Sequence, residues 1–206
     1  MVIEQIKAVF DNFSYVIYFL KSKEATIVDP SFDATKTIEF ISTNNLKLKY
    51  IILTHYHSDH TRDTQRIKDS FPSVKIISSK SDGKNMGFNV DLYVSDNDEL
   101  KVGDVNLKFI LTPGHTKGGI CIIVDNEAIL TGDTLFIGDC GRTDLPGGSF
   151  EQMFKTLQKK IKPLPDHLIV YPGHDYGPKP FDTLGNQKRT NKVLLAKNLE
   201  EFSKIP

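Results

Sequence analysis

Stretches rich in β-branched and aromatic residues at Ile3–Phe10, Ser14–Leu20 and Ala25–Val28 predict three successive strands, the last closing at Asp29-Pro30. Between Ala34 and Asn45 the apolar positions Ile38, Phe40 and Ile41 are spaced for a helix, and Tyr50–Leu53 is a short apolar run suited to a buried strand. A second helix is expected from Asp59 to Ser70, where Phe71-Pro72 stops it, followed by a strand at Val74–Ser78. The middle of the chain changes character. Leu92–Val94, Val105–Leu111, Gly119–Val124 and Ala128–Thr131 alternate with turn signals such as Val102-Gly103-Asp104 and Asp125-Asn126, which predicts the hairpins of a second sheet. Helices resume at Phe150–Ile161 and Asn186–Phe202, separated by a strand at His167–Tyr171. The pattern implies an α+β architecture of two mixed sheets with helices outside.

Composition narrows the class without naming a chemistry. With 206 residues, 39% of them hydrophobic, and no internal repeat or low-complexity linker, a single domain able to bury its own core is expected. Lys+Arg 26 balances Asp+Glu 26, so the overall charge announces neither a nucleic-acid nor a membrane partner. No apolar run approaches the ~20 residues of a membrane helix. Two cysteines, Cys121 and Cys140, make no disulfide framework, and no secretory signal precedes the first strand, so a soluble, cytoplasmic protein is expected.

The chemistry is concentrated in a few short patches. Five of the six histidines fall in Thr54-His55-Tyr56-His57-Ser58-Asp59-His60, Pro113-Gly114-His115-Thr116 and Pro172-Gly173-His174-Asp175, and Gly132-Asp133-Thr134 adds a carboxylate. Imidazole and carboxylate are the donors that zinc, manganese and non-haem iron accept, and the seven side chains His55, His57, Asp59, His60, His115, Asp133 and His174 exceed one closed tetrahedral site. Two ions fit. His55 and His57 follow a strand and point to the same side, which lets them share an ion, whereas Asp59 and His60 come as the chain turns into a helix and can aim at a neighbouring position. The other patches also follow strands, the usual placement of a site on loops carried by a rigid scaffold. His167 has no partner motif and reads as structural, and Cys121 and Cys140 read as small structural cysteines.

His55-Tyr56-His57-Ser58-Asp59-His60 with the later His115, Asp133 and His174 resembles the signature of the metallo-β-lactamase-fold hydrolases. The resemblance implies a four-layer αββα sandwich, with His55, His57 and His115 on one metal, Asp59, His60 and His174 on the other, and Asp133 bridging. It also implies that Asp29 orients a ligand from outside the coordination sphere. The β-lactamases of this fold usually carry cysteine where Asp133 stands, and the flavodiiron group carries glutamate at the second histidine, so His57 and Asp133 point away from both. The segments from Gly132 to Asp144 and from Tyr171 to Tyr176 are similar to the hydroxyacylglutathione hydrolases (glyoxalase II group) and to the persulfide dioxygenases.

The first of these implies water attack on a thioester, or a related small ester, by hydroxide shared between two divalent ions, zinc foremost and iron or manganese as alternatives, with Asp59 and Asp133 holding the nucleophile. The second implies oxidation of a glutathione persulfide at one iron. Either way the partner is a small thiol-derived molecule, handled by a monomer or homodimer. Arg142, Tyr176, Lys188 and Arg189 are the positions that the resemblance assigns to substrate binding. Asp144 stands where glyoxalase II enzymes have an aromatic residue, and their long C-terminal helical domain has no counterpart after Tyr176. No added basic arm suggests the RNA-processing branch.

Overall fold

The computed structural model describes residues 1–205. A first sheet has the strand order β1 (Val2–Lys7), β2 (Phe13–Tyr18), β3 (Glu24–Val28), β4 (Lys47–Ile52), β5 (Lys75–Ser79) and β6 (Leu92–Val94). The second has β7 (Glu99–Val102), β8 (Val105–Leu111), β9 (Ile120–Val124), β10 (Ala128–Gly132), β11 (Ile169–Pro172) and β12 (Asp182–Thr183) laid side by side in chain order. Both sheets are mixed. The β3–β4, β4–β5, β5–β6 and β10–β11 pairs are parallel, and the remaining pairs are antiparallel.

Burial explains why several strands read as unbroken apolar runs. β2, β9 and β10 are buried along their whole length, because each is covered on both faces. Phe13, Tyr15 and Ile17 from the first sheet meet Leu107, Phe109 and Ile122 from the second in a core between the sheets. Ile27, Ile41, Ile51 and Ile67 form a core between the first sheet and helices α1 (Thr35–Thr43) and α3 (Thr64–Ser70), beyond the single turn α2 (Ser58–Thr61). On the far side, Ile129, Met153, Leu168 and Leu194 pack the second sheet against the C-terminal helices. The layers are therefore αββα.

The sequence-based elements differ from the structure where side chains break a periodic pattern. The strand expected to reach Phe10 ends at Lys7, and Phe10 takes a positive φ of 66° as the chain turns toward Asp11-Asn12. The helix expected over Asp59–Ser70 divides into α2 and α3, because the Asp63 carboxylate accepts the Ala34 N–H (2.6 Å) while its own N–H bonds Pro30 O (3.2 Å). After the turn α4 (Lys80–Gly83), helix α5 (Phe150–Thr156) widens into a π-type turn over Leu157–Ile161. The single helix expected over Asn186–Phe202 is three: α6 (Leu184–Thr190), α7 (Lys192–Leu195) and α8 (Leu199–Ser203). Asn191 and Asn198 cap the last two with their side-chain oxygens, which gives the backbone an alternative to continuing. Strands β7 and β12, at or near the sheet margins, lie outside the sequence-based expectations. Among the described residues no helix is long and apolar enough to cross a membrane.

Candidate metal centre

The seven donors meet at one end of the sandwich, where β4, β8, β10 and β11 finish. His55 and His57 follow β4, His115 follows β8, Asp133 follows β10 and His174 follows β11, while Asp59 and His60 sit on α2. Ligand-bearing loops at the carboxyl ends of strands are the general placement in sheets with parallel pairs. Three sets each bring three donor atoms within 4.8 Å of one another: His55, His57 and His115; Asp59, His60 and His174; and, joining the two, Asp29, His55 and His60. Asp133 lies between the first two. Its Oδ1 is 3.3 Å from His60 Nε2, and its Oδ2 is 3.3 Å from His174 Nε2 and 3.5 Å from His115 Nε2.

The outer hydrogen bonds fix which ring nitrogen faces inward. Asp29 takes a positive φ of 50° at the end of β3, and its carboxylate accepts the Thr54 N–H (2.8 Å), the Thr54 hydroxyl (2.6 Å) and His60 Nδ1 (2.9 Å). Since the Thr54 hydroxyl donates to Asp29, its oxygen is left to accept His55 Nδ1–H at 3.0 Å. His115 Nδ1 donates to Arg142 O (2.7 Å), and His174 Nδ1 donates to the Asp11 carboxylate (3.2 Å). In each case the outer hydrogen bond keeps a proton on Nδ1 and turns Nε2 into the centre, where its lone pair serves as a ligand once any second proton has left.

That arrangement fits a cation. His60 Nε2 and His174 Nε2 face each other at 3.2 Å, His115 Nε2 faces His57 Nδ1 at 2.9 Å, and the Asp133 and Asp59 carboxylates stand among them. Converging lone pairs and anions repel unless positive charge lies between them. His55 Nε2 and Asp133 Oδ1 are buried with no hydrogen-bond partner, a state that otherwise costs on the order of 1–3 kcal/mol per group. Gly173 has the same logic: a Cβ there would lie 2.3 Å from Asp133 Oδ1 and 2.8 Å from His60 Cε1, so only glycine lets the β11 loop close over the donors.

Charge is shared unevenly across the cluster. Burial opposes ionisation of Asp133 and Asp59, but the His60 and His174 imidazoles overcome it and hold both carboxyls below the usual range. Burial also opposes charge on His60 and His174, yet Asp133 with Asp29 raises the first, and Asp133 with Asp59 raises the second to about 9. His55 and His57 are lowered, first by burial and then by neighbouring imidazoles, so they stand neutral as ligands must.

A cleft of about 610 Å³ opens over the cluster, with His57, Asp59, His115, Asp133 and His174 on its floor. Phe136, Ile137, Leu145 and Tyr176 supply an apolar wall. The Tyr176 ring stacks on His174 with centroids 4.7 Å apart, and Phe136 meets Tyr176 edge-on at 5.2 Å. Burial, then the carboxylates of Asp11, Asp133 and Asp59, push the Tyr176 hydroxyl up to about 12, so it stays a neutral hydrogen-bonding group. Arg142 also lines the cleft, with its guanidinium forked onto Asp144 by two 2.7 Å bonds. Lys188 and Arg189 are not on its walls. Lys188 is turned to Leu164 O and the Asp166 carboxylate (2.6 Å), and Arg189 is exposed on α6. Cys140 lies on the cleft wall with its thiol pushed up to about 12 by burial and Asp139, and Cys121 is fully buried in β9, so neither presents a thiolate.

Some contributors carry no sequence signal of their own. Asp11 and Asn12, in the turn after β1, reach His174 Nδ1 and Asp59 Oδ2 (3.2 Å from Asn12 Nδ2), but an Asp-Asn pair before a strand is an ordinary turn signal. Thr54 adjoins the first histidine patch, and its role follows only from its hydroxyl contacts.

Comparison with known proteins agrees with this geometry. Residues 9–174 match the family model described as "Metallo-beta-lactamase superfamily". The chain is 36% identical over 177 residues to a hydroxyacylglutathione hydrolase of Pelagibacter ubique, covering 85% of this chain and 72% of that protein. It is 30% identical over 196 residues to the mouse mitochondrial persulfide dioxygenase ETHE1, covering 94% and 75%. The crystal structure of ETHE1 from Myxococcus xanthus superposes with a TM-score of 0.87 at 26% identity, covering all of this chain and 92% of that one. A family match across most of the chain, together with an αββα sandwich gathering the donors at one end, identifies the protein as a member of the metallo-beta-lactamase superfamily.

Proposed function

We propose that the protein is a metal-dependent hydrolase of thioesters or related small esters, with two divalent ions, zinc foremost, held by His55, His57 and His115 on one side and by Asp59, His60 and His174 on the other. The observation that carries this reading is Asp133. Its Oδ2 stands between His115 of the first triad and His174 of the second, its Oδ1 faces His60 of the second, and that buried Oδ1 has no hydrogen-bond partner. Divalent ions bound there would supply Lewis acidity toward a carbonyl oxygen and toward an attacking water.

The chain's own groups do the rest. Asp59 and Asp133, held ionised beside the imidazoles, accept hydrogen bonds from the attacking water and fix its line of approach. Asp29, Thr54, Asp11 and the Arg142 carbonyl hold the histidines as Nδ1–H tautomers. Phe136, Leu145 and Tyr176 bind the apolar part of the substrate and exclude bulk water from the carbonyl. Arg142 exchanges Asp144 for a substrate carboxylate, the bidentate geometry being the same for both. A thiolate leaves without a strong general acid, and Tyr176 on the cleft wall stays uncharged.

Zinc- or manganese-loaded protein is expected to turn over S-lactoylglutathione or simple thioesters, and no turnover with any of them removes this reading. Asp133→Ala is expected to lose bound metal and to lower activity by well over ~100-fold, a ligand mattering more than its outer partners. Unchanged metal content in that variant contradicts the bridging role. The second reading is a persulfide dioxygenase, favoured by the likeness to mouse ETHE1 and by His55, His115 and Asp133 lining one small inner cavity, a two-histidine, one-carboxylate set suited to iron. Oxygen uptake by iron-loaded protein with glutathione persulfide separates the two.

A further inference from the structure

Behind the first triad lies a buried carboxylate outside the donor set. Asp82, on α4, is fully buried, and among the described residues no lysine or arginine pairs with it. Its position invites a local explanation. Ser79 caps α4 by accepting the Asp82 N–H (3.2 Å), and in Ser79-Lys80-Ser81-Asp82 the carboxylate would normally reach back to the Ser79 N–H to complete a capping box. It turns away instead. Oδ2 accepts the Thr116 hydroxyl (2.6 Å) and Oδ1 accepts the Gly118 N–H (2.7 Å).

Both donors come from the loop that carries His115. Thr116 and Gly118 follow His115 on the loop after β8, in the second sheet, whereas Asp82 sits on α4, directly after β5, the neighbour of β4 in the first. The approach is close enough to specify a neighbouring residue: a Cβ on Gly118 would lie 2.4 Å from Ser79 Oγ and 2.6 Å from Asp82 Oδ1. Burying a carboxylate without a counter-charge is unfavourable, and burial pushes the Asp82 carboxyl up; the two donors offset that cost while tying the His115 loop to the first sheet.

We propose that Asp82 is the positioning residue of the first triad, a latch across the two sheets that holds the His115-Thr116 loop of the second against α4 of the first, in the register that lets His115 share one ion with His55 and His57. The inference rests on the two-ion reading above and deepens it. Asp82 touches neither substrate nor ion, so its effect is on metal affinity at one site.

The test measures zinc and cobalt stoichiometry and affinity by chelator competition, with His115→Ala and His174→Ala as references that each disable one triad. Asp82→Asn keeps the size but offers one acceptor oxygen and sets an amide N–H₂ against N–H and O–H donors. It is expected to bind one ion with wild-type affinity and the other about 10- to 100-fold more weakly, the range found for outer-shell partners, with the residual cobalt spectrum matching that of His115→Ala. Thr116→Val, which removes one of two donors at constant volume, is expected to show a smaller loss at the same site, and it carries the comparison if Asp82→Asn fails to fold. Wild-type affinity at both sites, or equal weakening at both, overturns the latch even if the metal-free protein melts earlier. A wild-type protein that binds no ion overturns the metal reading itself, and the latch with it.

Discussion

His174 illustrates how one side chain links the fold to the centre. Its Nδ1 is held by Asp11 from the turn after β1, its Nε2 faces Asp133 and Asp59, and its ring is the platform for Tyr176. Burial resists a charge on this imidazole, but the two carboxylates win and raise it from 6.5 to about 9. A folded-state value above the unfolded one contributes stability that is fully present below about 6.5 and is lost as pH rises through about 9. Metal-free protein is therefore expected to melt several degrees lower at pH 9.5 than at pH 6. With metal bound the ring is a neutral ligand, so the dependence should vanish, and binding at pH 7 should release protons. Thermal denaturation with and without chelator checks both, and a flat metal-free profile across that range would contradict the assignment. Asp59 and Asp133 act in the opposite sense, since their lowered carboxyls contribute stability above about 4 that is lost toward acid pH.

At the scale of elements, the C-terminal helices shape the cleft without entering it. Asn191, fully buried where α6 gives way to α7, accepts the Val193 N–H (3.1 Å) and donates to Phe136 O and Asp139 O (both 3.2 Å). The two carbonyls belong to the segment that forms the cleft wall, so one amide both starts a helix and anchors the wall against it. Asn191→Ala is expected to cost about 1–3 kcal/mol in urea unfolding, because it leaves the Phe136 carbonyl without its side-chain donor and removes a cap. It should raise KM more than it lowers kcat, since the wall moves while the donors stay. A loss confined to kcat would place the effect at the metal centre instead. The three-helix arrangement also explains the placement of Lys188: α6 directs it to Asp166 and Leu164 O, on the side away from the cleft.

For the whole molecule, the decisive feature is that the donors come from two sheets whose relative position is set by the core between them. Phe109 is fully buried in that core. Phe109→Ala is expected to destabilise the protein by about 3–5 kcal/mol, from lost burial and the cavity left behind. If ions bind the native state alone, as the proposed function requires, saturating metal should offset part of the loss, by an amount that grows with metal concentration. Urea midpoints measured at several zinc concentrations test this, and equal midpoints at all of them would mean that zinc does not bind the native state in preference to the unfolded one.

The donor residues were legible in the chain because coordination demands imidazole and carboxylate, residue types that stand out when grouped at strand ends. Most strands were legible for a similar reason, since a strand covered on both faces must be apolar throughout. The breaks at Asp63, Asn191 and Asn198 were not, because a capping side chain interrupts a helix without disturbing its apolar spacing. Nor were Asp11, Asn12 and Asp82: a turn residue and a capping-box residue look the same whether their side chains bond locally or across the molecule. The sequence alone thus determined which atoms can bind a cation and which segments are buried, both being properties of residue type and local period. Only the tertiary structure decided which donors face one another, which ring nitrogen each presents and which charges reach the cleft. Those depend on hydrogen bonds between residues far apart in the chain, such as His60 with Asp29 and His174 with Asp11, which no local pattern encodes.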